Sequence, residues 1–188
     1  MKTNSRLLVL TFAFFSVITF ANLQAQTVNS KVYSVEEISK SISGLVGQTV
    51  QVKGLVSHIC ANTGRKLFLT TSDGSKTIRF NAGKEIDVFD ENLVDSMVVA
   101  TGVVAEQRIT IENLKSQEAK LIEAEKAKVT AEGHCTTEAK ANGENVTATP
   151  LQRVQTQMET IKKQVSEGKN NYLSFYSLDN CNKYKVAK

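Results

Sequence analysis

The most regular alternation of hydrophobic and polar positions in the chain runs through residues 49–60 (TVQVKGLVSHIC). A period of two predicts a β-strand with one face buried. The buried face would carry every second residue of this segment: Val50, Val52, Gly54, Val56, His58 and Cys60. A glycine in the middle of such a strand suits the bend that a barrel strand makes. The alternation therefore predicts that His58 and Cys60 lie side by side on that face, at the end of the strand.

Three more segments have strand character, and turn residues separate them. They are residues 66–71 (KLFLTT), 77–81 (TIRFN) and 96–110 (SMVVATGVVAEQRIT). The Asp73-Gly74 pair between the first two is a strong hairpin signal. Residues 87–95 have the acidic first turn and the apolar spacing of a short helix. The aromatic, β-prone character of the C-terminal region predicts a closing strand over residues 171–186.

Helical patterns occupy much of the remaining chain. The first predicted helix begins at Ser34, which would form a capping box with Glu37. Residues 112–132 are rich in Ala, Glu and Lys and have a thin apolar stripe, which predicts a largely solvated helix. Residues 136–148 are expected to form a polar loop. Pro150 then stands at the first position of a further helix, whose apolar residues form a narrow packing seam: Leu151, Val154, Met158, Ile161 and Val165.

The N-terminus has the pattern of a secretory signal peptide. Lys2 and Arg6 precede an apolar run over residues 7–21. This run is short for a membrane-spanning helix, which needs about 20 residues, although an uncleaved anchor is the alternative. We expect a signal peptide over residues 1–25, a single domain over residues 26–188, a periplasmic or secreted location, and no membrane span in the mature chain.

Charge and motifs argue against two broad classes of function. Residues 48–110 contain seven basic and seven acidic side chains, whereas a nucleic-acid-binding protein concentrates basic residues on one face. We therefore expect no nucleic-acid partner. The chain contains no Gly-x-Ser-x-Gly, phosphate-binding loop or His-Glu-x-x-His motif. Because no local signature supports a Cys/His nucleophile pair either, we expect the protein not to be an enzyme.

The order of elements in residues 48–110 resembles the OB-fold. The resemblance is carried by the xVxVKGxVxxxC strand, the KxFLxxxDG hairpin and VVATGVV after the short helix. The segment is similar to small exported bacterial OB-fold proteins and, more distantly, to the haem chaperone of cytochrome c maturation. The chaperone's His-x-x-x-Tyr attachment motif is absent, because Asn62 and Glu138 stand four residues after His58 and His134. The resemblance therefore gives no reason to expect covalent haem.

The resemblance implies an α+β protein that is mainly a β-barrel of OB-fold type. The barrel core would cover residues 48–110, with an N-terminal helix before it, an added helical pair in residues 111–168 and a C-terminal strand. Loops at the rim of OB barrels commonly bind ligands. Arg65 and Lys66 follow the first strand and would form such a ligand rim. The alternative is an ordinary charged shoulder of a hairpin.

Both histidines of the chain lie close to a cysteine, as His58-x-Cys60 and His134-Cys135. Two imidazoles and two thiolates form a complete tetrahedral ligand set for zinc, and the same donors suit copper. Such a site requires the end of the first strand to meet the loop after residue 133. In an oxidising compartment the alternative is a Cys60–Cys135 disulfide. A further alternative leaves the thiols free or pairs one of them with Cys181.

Together these patterns favour an exported, non-enzymatic binding protein. Its ligand would be a metal ion, zinc or copper, or a small molecule, held near the end of the first strand. The alternative is a structural or interaction protein that contacts an envelope partner through its helical arm and aromatic tail. In that case the histidines and cysteines serve only a disulfide and core packing.

Overall fold

The computed structural model of the chain describes residues 28–127 and 135–187. The strands in these ranges are β1 (Val28–Ser34), β2 (Thr49–Ile59), β3 (Lys66–Thr70), β4 (Thr77–Ala82), β5 (Met97–Thr110) and β6 (Tyr172–Val186). The α-helices are α1 (Val35–Ser41), α2 (Ile111–Lys126), α3 (Thr136–Ala141) and α4 (Pro150–Ser166). Short 3₁₀ turns lie at Ile42–Leu45 and Glu91–Leu93.

Five of these strands close into a barrel. Their order is β2-β3-β4-β6-β5, and the pairing of β5 with β2 closes the ring. Strands β4 and β6 are parallel, whereas the other neighbours in the barrel are antiparallel. A five-stranded barrel with this order is of OB-fold type, which confirms the predicted fold class. The predicted closing strand is β6, which pairs with both β4 and β5.

Strand β1 is an addition that the sequence patterns did not predict. It pairs in parallel with the first half of β2, while β3 pairs with the second half. The two strands therefore share one edge of β2. Asn29 and Ser30 break the hydrophobic alternation in this segment. Its extended conformation is therefore explained by the pairing with β2 and not by its own sequence pattern.

Alternate residues of the strands fill the barrel interior. Leu67 of β3 lies opposite Phe80 of β4, and Leu69 lies opposite Ile78. All four side chains belong to the main buried core of the molecule. The residues between them on β3 and β4 must therefore point out of the barrel, because successive side chains of a strand alternate between its faces.

A β-bulge near the end of β2 changes the face on which His58 lies. The residues of β3 that face Val56 and His58 are adjacent in sequence, which makes Ser57 the extra residue of β2. After the bulge, Ile59 enters the buried core, whereas His58 is half-buried. The prediction that His58 continues the core-facing row of Val56 is wrong, because a strand pattern assumes an unbroken register.

Helix α1 begins as the sequence predicted. The Ser34 hydroxyl accepts a hydrogen bond from the Glu37 amide at 3.1 Å. The Glu37 carboxylate in turn accepts one from the Ser34 amide at 2.8 Å. This capping box directs Val35 and Ile38 into the barrel core.

The helix predicted over residues 87–95 is reduced to the 3₁₀ turn at Glu91–Leu93. Two residues of its predicted apolar stripe are largely exposed, Val88 at 57% and Val94 at 40%. Leu93, the third residue of that stripe, is buried, and so is Phe89, which the stripe did not include. The segment therefore follows the barrel surface in a turn, and its apolar side chains do not form one helical face.

Helices α2 and α4 form a second, smaller core outside the barrel. The side chains buried in it are Leu114, Val154, Met158 and Ile161. Ile109 and Leu173, from the ends of β5 and β6, pack against this core and connect it to the sheet. The predicted seam of α4 thus contacts α2, except at its end, where Val165 is 49% exposed.

The segment predicted as a polar loop over residues 136–148 contains helix α3. Ala139 is the buried residue of this helix, and the helix lies against β4. The polar composition suggested a loop, but a small buried alanine and long polar side chains are enough for one and a half turns of helix against a sheet. The correction bears on function because α3 carries Glu138 to the barrel surface.

Candidate ligand face on strands β3 and β4

The outer face of β3 and β4 brings together two basic side chains and an aromatic ring. Phe68 of β3 and Arg79 of β4 lie directly opposite each other. Lys66 stands two residues before Phe68 and therefore lies on the same face. We call this set of three residues the β3–β4 face.

Phe68 is fully buried although it points away from the barrel core. Its exposed fraction is 0%, and it is not a member of either hydrophobic core. The ring of His58 lies next to it, with ring centroids 5.6 Å apart. A phenyl ring on the outside of a barrel is buried only if other parts of the chain cover it. His58 lies beside the ring, and α3 lies against the neighbouring strand β4.

Glu138 of α3 joins the two basic side chains of the β3–β4 face. One carboxylate oxygen accepts a hydrogen bond from the Lys66 ammonium at 2.7 Å. The other oxygen forms an ion pair with the Arg79 guanidinium. Their side chains are mostly shielded from solvent, with exposed fractions of 15% for Arg79 and 16% for Glu138.

The environment of Glu138 keeps its carboxyl group ionised. Burial alone would raise the pKa of Glu138, but the hydrogen bond from Lys66 and the charge of Arg79 outweigh burial and lower it. One hydrogen-bond donor of this charged cluster has no acceptor among the described residues. The Nε atom of Arg79 is buried and has no hydrogen-bond partner in the described part of the chain.

The two residues of the predicted ligand rim have different roles in the structure. Arg65 binds a neighbouring loop: its guanidinium donates to the Asp87 carbonyl at 2.6 Å and to the Gly83 carbonyl at 3.3 Å. Lys66 belongs to the β3–β4 face and contacts Glu138. Both side chains therefore bind other residues of the same chain. The candidate site is the β3–β4 face, which lies beside the predicted rim.

The predicted cysteine and histidine residues are only partly described. Cys60 follows β2 and its amide donates to the Lys66 carbonyl at 2.9 Å. Cys135 is the residue immediately before α3, so the Lys66–Glu138 ion pair connects the two regions that the metal site and the disulfide both require to be close. His134 lies outside the described residues.

The described part of the chain contains no group of three or more His, Cys, Asp or Glu side chains arranged to hold a metal ion. His58, Cys60 and Cys135 alone therefore do not form such a group, and the four-residue site with His134 remains a prediction. The structure has Cys60, Cys135 and Cys181 as free thiols. The Cys60–Cys135 disulfide likewise remains a prediction for the oxidised protein.

Three residues of this site were not singled out for it from the sequence. The sequence analysis assigned no role at this site to Phe68, Arg79 or Glu138. The alternation of residues 66–71 contained a usable signal, because Phe68 interrupts a row that otherwise carries polar side chains. No local signal pointed to Glu138, because its partners are 72 and 59 residues away in sequence.

The comparisons with known proteins do not assign a family. No protein-family model matches the chain, and no curated protein matches it. Among solved structures, the chain is similar to a protein described as an aspartyl-tRNA synthetase from Leishmania major Friedlin, with 27% sequence identity and a TM-score of 0.29. The match covers 44% of this chain and 17% of the other. A match at this TM-score indicates neither fold nor function, so the fold assignment rests on the strand order of the barrel.

In the described ranges, no helix has both the length and the apolar character that crossing a bilayer requires.

Proposed function

We propose that the protein is an exported, non-enzymatic OB-fold binding protein that holds a small ligand on the β3–β4 face, next to the end of β2. The observation that carries this proposal is the position of Lys66, Phe68 and Arg79 on one outer face of β3 and β4. An aromatic ring and two cations on one face can supply both apolar contact and charge-assisted hydrogen bonds. The signal-peptide pattern of residues 1–25 supports export.

A test is native mass spectrometry of the mature protein, purified without chelators, together with elemental analysis. We expect a small molecule to be retained by the unmodified protein and lost from the Lys66→Gln and Arg79→Gln variants. Lys76→Gln is the matched control, because Lys76 is an exposed residue in the β3–β4 turn. Retention of the same molecule by all three variants would place its site elsewhere.

The metal version of the proposal has a different signature in the same experiment. If zinc or copper is bound by His58, Cys60, His134 and Cys135, it is lost from both His58→Ala and Cys60→Ser and kept by Lys66→Gln. The proximity of Cys60 to Lys66, and of Cys135 to Glu138, supports this version. Neither ligand nor metal in the purified protein would favour the alternative, a structural protein that contacts an envelope partner.

Nucleic acid is the ligand class that we do not propose. A single-stranded oligonucleotide that bound with a sub-micromolar dissociation constant and a steep dependence on salt would contradict the prediction from the net charge of the barrel.

A further inference from the structure

Helix α3 is attached to the barrel by charge rather than by apolar packing. Of its six residues, the buried one is Ala139, so the helix contributes little apolar area to the molecule. A helix of this length is marginal without tertiary contacts. Its strongest contacts with the barrel are the two ion pairs of Glu138.

Two grooves lie beside the end of α3 and the residues that follow it. A groove of about 310 Å³ separates residues 140–143 from β4 and the start of β6. A second groove of about 350 Å³ lies between residues 142–148, α4 and β6. The end of α3 and the segment after it are therefore loosely packed against the rest of the chain.

Glu138 does not use all the hydrogen-bond donors that it faces. It contacts Arg79 through the Nη1 atom, while the buried Nε atom of the same guanidinium remains without a partner. Carboxylates and phosphates commonly bind Arg through two parallel hydrogen bonds. Because the N–H bonds of Nε and Nη2 point in parallel, a ligand anion that bound these two atoms would satisfy the guanidinium better than Glu138 does.

The surface beneath α3 has the composition of a small-molecule site. The Phe68 ring lies on this face opposite Arg79, with His58 beside it and Lys66 two residues away on the same strand. Apolar walls with a few convergent polar groups are typical of such sites. The face therefore suits a flat apolar body that carries one carboxylate or one phosphate.

We propose that α3 is an internal competitor for the β3–β4 face. The carboxylate of Glu138 neutralises the Lys66 and Arg79 cations that the ligand's carboxylate or phosphate would bind, and the ligand binds when α3 leaves. This inference rests on the proposed binding function and adds to it the anionic class of the ligand and the control of access to the site. Helix α3 would control access to the site, because a site that is mostly occupied by part of its own chain binds its ligand with reduced apparent affinity.

The experiment compares the full mature chain with its Glu138→Gln variant. The probes are 2-naphthoate, 2-naphthyl phosphate and neutral 2-naphthol, titrated by calorimetry and followed by amide chemical shifts. We expect Glu138→Gln to bind the anionic probes about tenfold more tightly than the unmodified protein, because the substitution removes the competing charge. The two anionic probes distinguish a carboxylate ligand from a phosphate ligand. Binding of 2-naphthol should be weaker in both proteins.

Two further variants test the assignment of the site. Glu144→Gln is the matched control, because Glu144 is similarly shielded and pairs with Arg153 in the same helical insertion; its affinity should equal that of the unmodified protein. Adding Arg79→Gln to Glu138→Gln should remove the gain in affinity. In case Glu138→Gln perturbs folding, amide hydrogen exchange of the unmodified protein gives an independent readout. Saturating 2-naphthoate should accelerate exchange in α3 and leave β3 and β4 protected.

The outcomes separate this inference from the proposed function. Equal anion affinities for the unmodified protein and Glu138→Gln, with shifts on β3 and β4, would overturn the competitor role and leave the binding function standing. Unchanged exchange in α3 at saturation would also overturn it. Binding of 2-naphthol as tight as that of the anions would overturn the ligand class. No binding to β3 and β4 by any probe in either protein would overturn both proposals.

Discussion

At the scale of single residues, Gly54 shows how closely α1 approaches the barrel. A Cβ atom at this position would lie 2.6 Å from Cγ2 of Val35 and 3.0 Å from Cβ of Leu69. Both neighbours belong to the buried core. The sequence pattern indicated a bend at Gly54, whereas the structure shows that the glycine leaves room for the helix.

We therefore predict that Gly54→Ala destabilises the protein by about 1–3 kcal/mol, because overpacking a core displaces its side chains. The measurement is urea unfolding followed by circular dichroism. Gly44→Ala is the control, because a Cβ atom there meets nothing within 4 Å; it should stay within about 1 kcal/mol of the unmodified protein. Equal losses in the two variants would show that helix packing is not the reason for Gly54.

The three cysteines differ in reactivity. Cys181 is fully buried, and burial raises the pKa of its thiol to about 11. Cys135 is only half-buried. We predict that, in the reduced and folded protein near neutral pH, iodoacetamide modifies Cys135 well before Cys181, because the thiolate is the reactive form. Peptide mass spectrometry measures the order, and labelling in denaturant is the control. Simultaneous modification of the two would contradict the burial of Cys181.

At the scale of the elements, the barrel and the helical arm (residues 111–168) have separate buried cores. Ile161 is fully buried between α2 and α4, and this cluster does not include residues of the main barrel core. The arm should therefore lose stability locally when its own core is truncated, since local opening follows the units of packing.

We predict that Ile161→Ala costs the arm about 2–5 kcal/mol and raises amide exchange in α2 and α4, while β2 to β5 keep their protection. Val165→Ala in the same helix is the matched control, because Val165 is 49% exposed, and it should change little. A parallel loss of protection in the barrel would mean that the two cores unfold together.

The attachment of α3 should depend on pH. The pKa of Glu138 is lowered from its ordinary value of 4.5, so its ionised form is favoured in the folded state. The ionised carboxylate therefore stabilises the attachment of α3 fully at pH values above the ordinary pKa. This stabilisation is lost as the pH falls through the lowered pKa. We predict that protection of α3 decreases below about pH 4 while the barrel remains protected. Amide exchange at several pH values measures this effect, and Glu138→Gln should abolish it; the same transition in that variant would assign it to another group.

At the scale of the whole molecule, the N-terminal segment predicts export. We expect native material to begin near Gln26 and to be found in the periplasm or outside the cell. N-terminal sequencing checks this expectation. Phe14→Arg should block processing, because a charge interrupts the apolar run on which signal recognition depends. Native protein that still begins with Met1 would contradict the export prediction.

Much of the candidate site could not be predicted from the sequence. The patterns placed the barrel strands within one or two residues and identified the closing strand, because local alternation and turn residues reflect which face is buried. The helix predicted over residues 87–95 was wrong, since the apolar residues of this segment divide between the barrel core and the exposed surface. His58 was assigned to the wrong face because one extra residue in a strand reverses every later position. Lys66 was singled out for its charge alone.

The sequence by itself determined the five barrel strands and the positions of α1, α2 and α4, and the order of the strands then indicated an OB-type barrel. The capping box of α1 and the alternation along β2 to β5 are properties of neighbouring residues. They can therefore be recognised in the sequence without knowledge of the fold. Only the tertiary structure decided that β1 adds to the edge of β2 and that Glu138 meets Lys66 and Arg79 on the outer face of β3 and β4. Those contacts join residues far apart in the chain, and no local pattern encodes them because each depends on where the barrel and the helical insertion place their surfaces.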